Sequence, residues 1–409
     1  MTCLRDSWLG YRQFCELPER LTMASSANRG KNNMIVDSHV YIFEPVDSPA
    51  GHASGQEHLR WGQAAYASHH QPAFRTRDRA PSDSSVLAPE GSSDIDDMPD
   101  KGFRFDHLRG RFVWDHNGEE HTKQYFPPNV LGGEFTPASM IGEMDYAGVD
   151  VALIHTDPML VRGSDYLSEC VKLFPDRFVS MAPVDEWRIR DEPYAVIAEL
   201  TTAIKTEGLH AIKINPFTYM VSDEPWDDGF CRPFWEAATS LGVPIFFTLG
   251  SGPGYRERSL TEEEQRQGYM NELCILMRWM ERYPEAVCSL THGFPWRLFV
   301  DDGKIVLPER IWEPFQSDNC NLEVCFPVRL GDMFDFPYRE VWPTLEQMVE
   351  RIGSDHLMWG TDMPFQNRFC TYSQSRQWIE KYCEFLSPYD REMIMGGTAA
   401  RVLELGTGG

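Results

Sequence analysis

The sequence has no run of 18 or more apolar residues and no charged stretch followed by an apolar one at its start, so neither a membrane span nor a secretory leader is expected. It is also poor in base, with 38 Lys and Arg against 62 Asp and Glu and a formal net charge of −24. Nucleic acids and anionic membranes are held by clustered Lys and Arg, so neither is an expected partner. The same balance does not exclude an anionic small molecule, because one Arg or Lys in a pocket holds a carboxylate whatever the charge of the whole chain. Regular cysteine spacing is missing as well. Ten cysteines are scattered with no CxxC pair, which argues against a disulfide framework and for reduced thiols in the cytoplasm.

What is present is material for a core: 42% apolar residues, with 12 Trp, 15 Tyr and 24 Phe to line pockets. A length of 409 residues allows one large domain or two ordinary ones. Residues 1–33 are mixed polar and read as an N-terminal extension, with Met23 or Met34 as alternative starts.

Eight short apolar, β-rich segments recur along the chain, at 35–41, 149–155, 178–184, 209–215, 243–249, 287–292, 320–325 and 356–361. Helical periodicity fills the gaps at 136–147, 166–174, 194–206, 230–241, 270–283 and 345–352. Gly148, Gly208, Gly242 and Gly353 each stand where a helix would stop. Strand–helix alternation repeated eight times predicts an α/β fold, a (β/α)8 TIM barrel over residues 34–405. A doubly wound open sheet is the alternative. The barrel is preferred because polar residues fall at the ends of at least four strands, which a barrel brings together and an open sheet spreads. Residues 47–128 break the repeat and read as a long insertion after strand 1, acidic and of low complexity at 81–100 and hairpin-like at 103–114. Its aromatic and basic residues suit a lid over the barrel mouth.

Three strands carry the candidate chemistry. The first reads Val36-Asp37-Ser38-His39-Val40-Tyr41, and alternation would place Asp37, His39 and Tyr41 on one face. The bland reading of His39 is a core imidazole satisfied by a neighbouring carboxylate. The sixth ends Thr291-His292-Gly293-Phe294-Pro295, with a histidine at the tip, which alone could be a plain surface residue. The eighth ends Trp359-Gly360-Thr361-Asp362-Met363-Pro364, where Asp362 could bind a metal, act as a general base or simply cap the next helix.

Taken in order, these segments and Gly396-Gly397-Thr398-Ala399-Ala400-Arg401-Val402-Leu403 resemble the motifs of the amidohydrolase-related family, which includes aminocarboxymuconate semialdehyde decarboxylase, resorcylate decarboxylases and pyrone dicarboxylate lactonase. The resemblance runs over residues 35–405 and implies a divalent metal such as zinc. In the family two first-strand histidines, a fifth-strand histidine and the eighth-strand aspartate hold the ion, and the sixth-strand histidine polarises substrate or moves a proton. This chain has Tyr41 in the second histidine position and Thr248 in the fifth-strand one. Neutral Tyr and Thr oxygens are poor zinc ligands, so a site keeping only His39 and Asp362 would bind metal weakly, and a metal-free mechanism is the alternative. Asp37, His155, Glu323 and Cys325 are strand-end groups that could compensate.

Lys213, in Lys213-Ile214-Asn215-Pro216, could hold a substrate carboxylate or polarise a carbonyl, or could send its ammonium to solvent from the barrel wall. Tyr41, Thr248 and His155 complete the candidate substrate-binding set. The glycine-rich stretch 249–256 lacks the ending of a phosphate loop and reads as a substrate loop, and His107, His116 and His121 lack ligand spacing and read as solvated. The preferred reading is a hydrolase acting on a small carboxylate-bearing cyclic or aromatic compound of lactone or amide type. In it Asp362 is the base toward water, His292 polarises the carbonyl, and His39 supports Asp362 or a metal. The alternatives are non-oxidative decarboxylation of a hydroxylated aromatic acid and a catalytically silent ligand-binding barrel. Exposed barrel helices would also suit pairing into a homo-oligomer.

Overall fold

A computed structural model describes residues 34–89, 95–130, 132–220, 224–250 and 260–406. The extension read at 1–33, part of the acidic piece at 90–94 and most of the glycine-rich loop, 251–256, lie outside the described residues.

Eight parallel strands form one sheet in sequence order: β1 (Val36–Val40), β2 (Val151–Ile154), β3 (Phe178–Ala182), β4 (Ala211–Ile214), β5 (Ile245–Phe247), β6 (Cys288–Leu290), β7 (Cys320–Val324) and β8 (Leu357–Trp359). The sheet closes on itself just beyond β8. The Asp362 N–H donates to the His39 carbonyl at 2.8 Å, and the Tyr41 N–H donates to the Met363 carbonyl at 2.7 Å. The expected (β/α)8 barrel is therefore the observed architecture. Its strands are buried on both faces, as parallel strands covered by helices must be, and this explains why they read as short, nearly continuous apolar runs.

The outer helices start and stop where local chemistry requires. Pro137–Ala147 is capped by the Thr136 side chain, which accepts from the Ser139 N–H, and it ends at Gly148, whose φ of 72° suits a residue without Cβ. The helix before β6 is longer than its apolar periodicity suggested, spanning Glu262–Arg282. Its first two turns are polar and face outward, and a capping box of Thr261 and Glu264 fixes where they begin.

Between β1 and the helix at Pro137, the chain builds the helix Gly55–Ser68 and a five-stranded antiparallel sheet. The expected hairpin is there, Arg104–Asp106 pairing with Arg111–His116. The rest of this sheet was not legible from the sequence. One expectation is corrected: His121 is not solvated but buried, with Nε2 bonded to the His116 carbonyl at 3.1 Å, because it sits on a central strand of this small sheet. The insertion is fixed to the barrel mouth at several points. His52 and His58 bond the Pro158 and Met159 carbonyls after β2, and Trp61 packs on Trp187 and Tyr219 after β3 and β4. Tyr125 and Phe126 pack on Phe365 after β8. Among the described residues, no helix is long and apolar enough to cross a membrane.

Candidate active site

Residues 323 positions apart, His39 on β1 and Asp362 after β8, meet at one rim of the barrel: His39 Nε2 lies 3.5 Å from Asp362 Oδ1, and His292 Nε2 approaches the same oxygen at 3.7 Å. His292 and Asp362 both have left-handed backbone, φ 62° and 60°. Short polar side chains tolerate this conformation better than branched ones, and it turns both groups into the mouth at the point where their strands end. Their side chains are 14% and 13% exposed, while His39 is fully buried.

Glu323 on β7 organises the imidazoles from below. Its Oε2 lies 2.9 Å from His39 Nδ1 and accepts from the His292 N–H at 2.8 Å. A carboxylate on Nδ1 places the proton there and leaves the Nε2 lone pair facing the mouth. His155 from β2 stacks on the other face of His39 with ring centroids 3.5 Å apart. Its Nε2 bonds the Ser38 carbonyl at 2.8 Å, and its buried Nδ1 has no partner. Tyr41 closes the near side, its hydroxyl 3.2 Å from His39 Nε2 and accepting a 2.8 Å hydrogen bond from Lys213 Nζ on β4.

The electrostatics assign protonation states. Burial drives His39 and His155 well below the usual histidine range, so both rings are neutral at physiological pH. Burial likewise keeps Tyr41 protonated, well above the usual phenol value. Burial alone would neutralise Asp362, but its interaction with His292 and the charge of Lys213 outweigh that, and its pKa lies below the ordinary carboxylate value. Glu323 is pushed up to about 7 by burial, against the pull of His292.

A model of the amidohydrolase family matches residues 109–405. The chain belongs to the amidohydrolase family. Membership marks it as an enzyme, although the match begins within the insertion and leaves out β1, so His39 joins the site through the barrel itself. No curated protein matches the sequence. Among solved structures, a probable 2-pyrone-4,6-dicarboxylic acid hydrolase from Acinetobacter baumannii with citric acid bound is 15% identical over 69% of this chain and 93% of its own, at a TM-score of 0.51. A 5-carboxyvanillate decarboxylase from Sphingomonas paucimobilis is 21% identical over 68% of this chain and 86% of its own, with a TM-score of 0.48. Another, from Novosphingobium aromaticivorans with manganese bound, is 17% identical over 68% and 83%, with a TM-score of 0.48. These likenesses concern the fold.

In this amidohydrolase the sequence candidates divide. His39, His292, Asp362, Tyr41, Lys213 and His155 come together. The Thr248 hydroxyl is 2.5 Å from that of Thr291, the neighbour of His292, and no described hydrogen bond links it to the three histidines. Asp37 does not act beside His39 as alternation implied. A register irregularity interrupts β1, and the Asp37 carboxylate meets the His39 backbone and not its ring: it accepts from the His39 N–H at 3.0 Å, from Thr361 and from the Tyr372 hydroxyl, tying β1 to the end of β8. Of the four compensating groups named from the sequence, His155 and Glu323 form a compact cluster with His39.

The donor atoms suit a divalent ion. His39, His292 and Asp362 offer ligand atoms that all lie within 4.8 Å of one another, as do those of the fully buried His39, His155 and Glu323. Two ligands about 2.1 Å from one tetrahedral ion lie roughly 3.4 Å apart. The 3.5 and 3.7 Å separations around Asp362 Oδ1 are close to that value and too long for good hydrogen bonds. The Glu323–His39 pair is the carboxylate–histidine arrangement that usually stands behind a metal ligand.

Sequence reasoning missed several groups at the mouth. Glu186, just after β3, is buried and pushed up to about 8 by that burial, against the Asn215 N–H it accepts from at 2.7 Å and the charge of Lys213. It lines a cavity of about 20 Å³ with Asp157 and Lys213, and also a groove of about 1160 Å³ walled by Trp61, Trp187 and Tyr219. Tyr125 from the insertion and Arg329 and Arg368 from the loops after β7 and β8 also surround the mouth. Arginines in loops read as solvated, and nothing in the sequence marks these two out.

Proposed function

We propose that this amidohydrolase hydrolyses an ester or amide bond in a small cyclic or aromatic compound that carries a carboxylate. The observation that carries the reading is Asp362, held ionised between the imidazoles of His39 and His292 and next to the Tyr41–Lys213 pair. Both imidazoles face Oδ1, which leaves Oδ2 to take the proton of an attacking water. His292, at the solvent edge of the cluster, polarises the scissile carbonyl and passes a proton to the leaving group. The Tyr41 hydroxyl stays protonated and is polarised by the Lys213 ammonium, so it is a suitable donor to the developing oxyanion. This gives Lys213 a carbonyl-polarising role and not a carboxylate-holding one.

His39, His292 and Asp362 are the residues that would hold a divalent ion such as zinc, and such an ion supplies Lewis-acid polarisation and an acidified water. Metal analysis of the purified protein, followed by a panel of lactones, aryl amides and hydroxybenzoates, tests the reading. Asp362→Asn should lower turnover by about 10²- to 10⁴-fold. Turnover unchanged in that variant would show that the base lies elsewhere.

One observation favours a second reading, non-oxidative decarboxylation of a hydroxylated aromatic acid. Glu186, pushed up to about 8, is a carboxylic acid kept protonated near Lys213, and protonation of a ring carbon needs such a donor. Release of titratable acid from a lactone supports hydrolysis; release of carbon dioxide from a hydroxybenzoate supports the alternative.

A further inference from the structure

Arginines in this acidic chain are generally paired with acids: Arg278 with Asp227, Arg297 with Asp332, Arg376 with Glu380. Two at the barrel mouth are not. Arg329, on the short helix Phe326–Leu330 after β7, makes no ion pair or hydrogen bond among the described residues. Arg368, at the end of the turn Phe365–Arg368 after β8, donates through Nε to the Phe365 carbonyl at 3.0 Å, yet its Nη1 is buried with no partner. An unmatched guanidinium N–H away from water is costly, and such an atom marks the place of an absent acceptor. The Arg368 guanidinium lies 5.4 Å from the Tyr125 ring centre and 4.9 Å from that of Phe369, and although the charges of Asp362 and Asp332 reach it, it forms an ion pair with neither.

Both cations act on the same space, since the helix Phe326–Leu330 packs against the turn Phe365–Arg368. The charge of Arg329 is felt by His39, His69, His70 and Tyr125, and that of Arg368 by Asp362, His69, His70 and Tyr125. His69 stacks on Tyr125 at 3.9 Å, and burial keeps both His69 and His70 neutral, so they add hydrogen-bonding capacity without charge. Tyr125 in turn packs on Phe365, which touches Tyr41 beside the catalytic cluster. Lys213, the cation first considered for a carboxylate, is spent on Tyr41 on the β4 side.

We infer that Arg329 and Arg368, with Tyr125 from the insertion, form an anion subsite on the β7–β8 side of the mouth that takes the carboxylate of an aromatic acid. The planar fork of arginine matches a carboxylate, and the rings of Tyr125, Phe365 and Phe369 suit an aryl group attached to it. The inference deepens the hydrolase reading and rests on it for the ligand being substrate; the subsite itself can be measured without turnover.

The test is calorimetric titration of the full chain with benzoate, benzamide and inorganic phosphate. Benzoate should bind at least about tenfold more tightly than benzamide, and Arg329→Gln and Arg368→Gln should each weaken benzoate by about tenfold or more, with partial recovery in Arg368→Lys. Should Arg368→Gln fail to fold, Arg329→Gln carries the same expectation alone. Asp362→Asn, which should slow the proposed hydrolysis, should still bind benzoate, so failure of the hydrolase reading and failure of the subsite are separable. Benzoate affinity unchanged in both arginine variants, or lost only in Lys213→Met, overturns the subsite. Phosphate competing as strongly as benzoate overturns the assignment to a carboxylate.

Discussion

Glu323 has the widest reach of any single side chain in the site, because one carboxylate fixes the His39 ring through Nδ1 and the His292 backbone through its N–H. Both donors meet Oε2, so a Gln with its amide oxygen there keeps the two bonds and sets its NH2 beside Ser38 Oγ, which lies 3.3 Å from Oε1, but it removes the negative charge behind His39 Nδ1. Partners standing behind a metal ligand typically matter by about 10- to 100-fold in metal affinity or activity. Glu323→Gln is therefore expected to weaken the binding of an added divalent ion by that factor in a chelator competition; binding equal to wild type would remove Glu323 from the site's support. Much of this residue-scale picture could be read from the sequence. His292 and Asp362 could be named because each sits at a strand end near a glycine or proline, and His39 because it stands in the alternation Asp37-Ser38-His39-Val40-Tyr41. The Lys213–Tyr41 bond, which spans 172 positions, could not, since alternation gives the side of a strand a residue faces and not which residue it meets. The partners of Asp37 were hidden for a related reason: the irregularity in β1 interrupts the alternation, and its carboxylate meets the His39 N–H, Thr361 and Tyr372.

At the scale of elements, the helix Gly55–Ser68 depends on histidine for its seat. His58 is buried with Nδ1 2.8 Å from the Ser48 carbonyl and Nε2 2.8 Å from the Met159 carbonyl, and burial lowers its pKa, so the neutral ring donates its one N–H to one of them. Losing that bond while leaving the carbonyls buried should cost about 1–3 kcal/mol of local stability. His58→Ala should therefore raise amide exchange in residues 55–68 by tenfold or more while strands of the barrel stay protected; equal protection would show that aromatic packing alone holds the insertion. The barrel elements were legible because a buried parallel strand leaves a local signature, a short apolar run followed by a glycine-stopped helix. The insertion sheet left little signature beyond one hairpin. Its strands are as short as Pro81–Ser82 and Ala73–Arg75, and the second of these pairs with Glu119–Lys123, more than 40 residues away, so the order of the sheet is set by contacts that no local window contains.

For the molecule as a whole, the sheltered carboxyls set a pH dependence opposite to that of ordinary surface acids. Asp37 and Glu323 are pushed up to about 7 by burial, Glu186 to about 8, and Glu272 to about 7. In the unfolded chain each would titrate near its ordinary value, 3.8 for Asp and 4.5 for Glu. Between those values and 7 to 8, the folded protein keeps protons the unfolded chain has released, so raising the pH through this window lowers stability. The buried histidines His39, His69 and His155 act in the other sense, but only below their ordinary value of 6.5, where the unfolded chain takes up protons that the fold refuses. Above 6.5 the carboxyls act unopposed by these imidazoles, and stability should fall from there to about pH 8. Glu272 isolates the effect, since it lies away from the mouth on Glu262–Arg282 and makes one clear bond, accepting from Trp226 Nε1 at 2.8 Å. Glu272→Gln keeps an acceptor for that indole and removes the titration. The melting temperatures of wild type and Glu272→Gln should run parallel below pH 4.5 and diverge in favour of the variant up to pH 7, by an amount corresponding to about 3 kcal/mol, and then stay apart. Curves that remain parallel from pH 4 to 8 would mean that Glu272 stays ionised in the fold, and that the acidic character of this chain extends into its core.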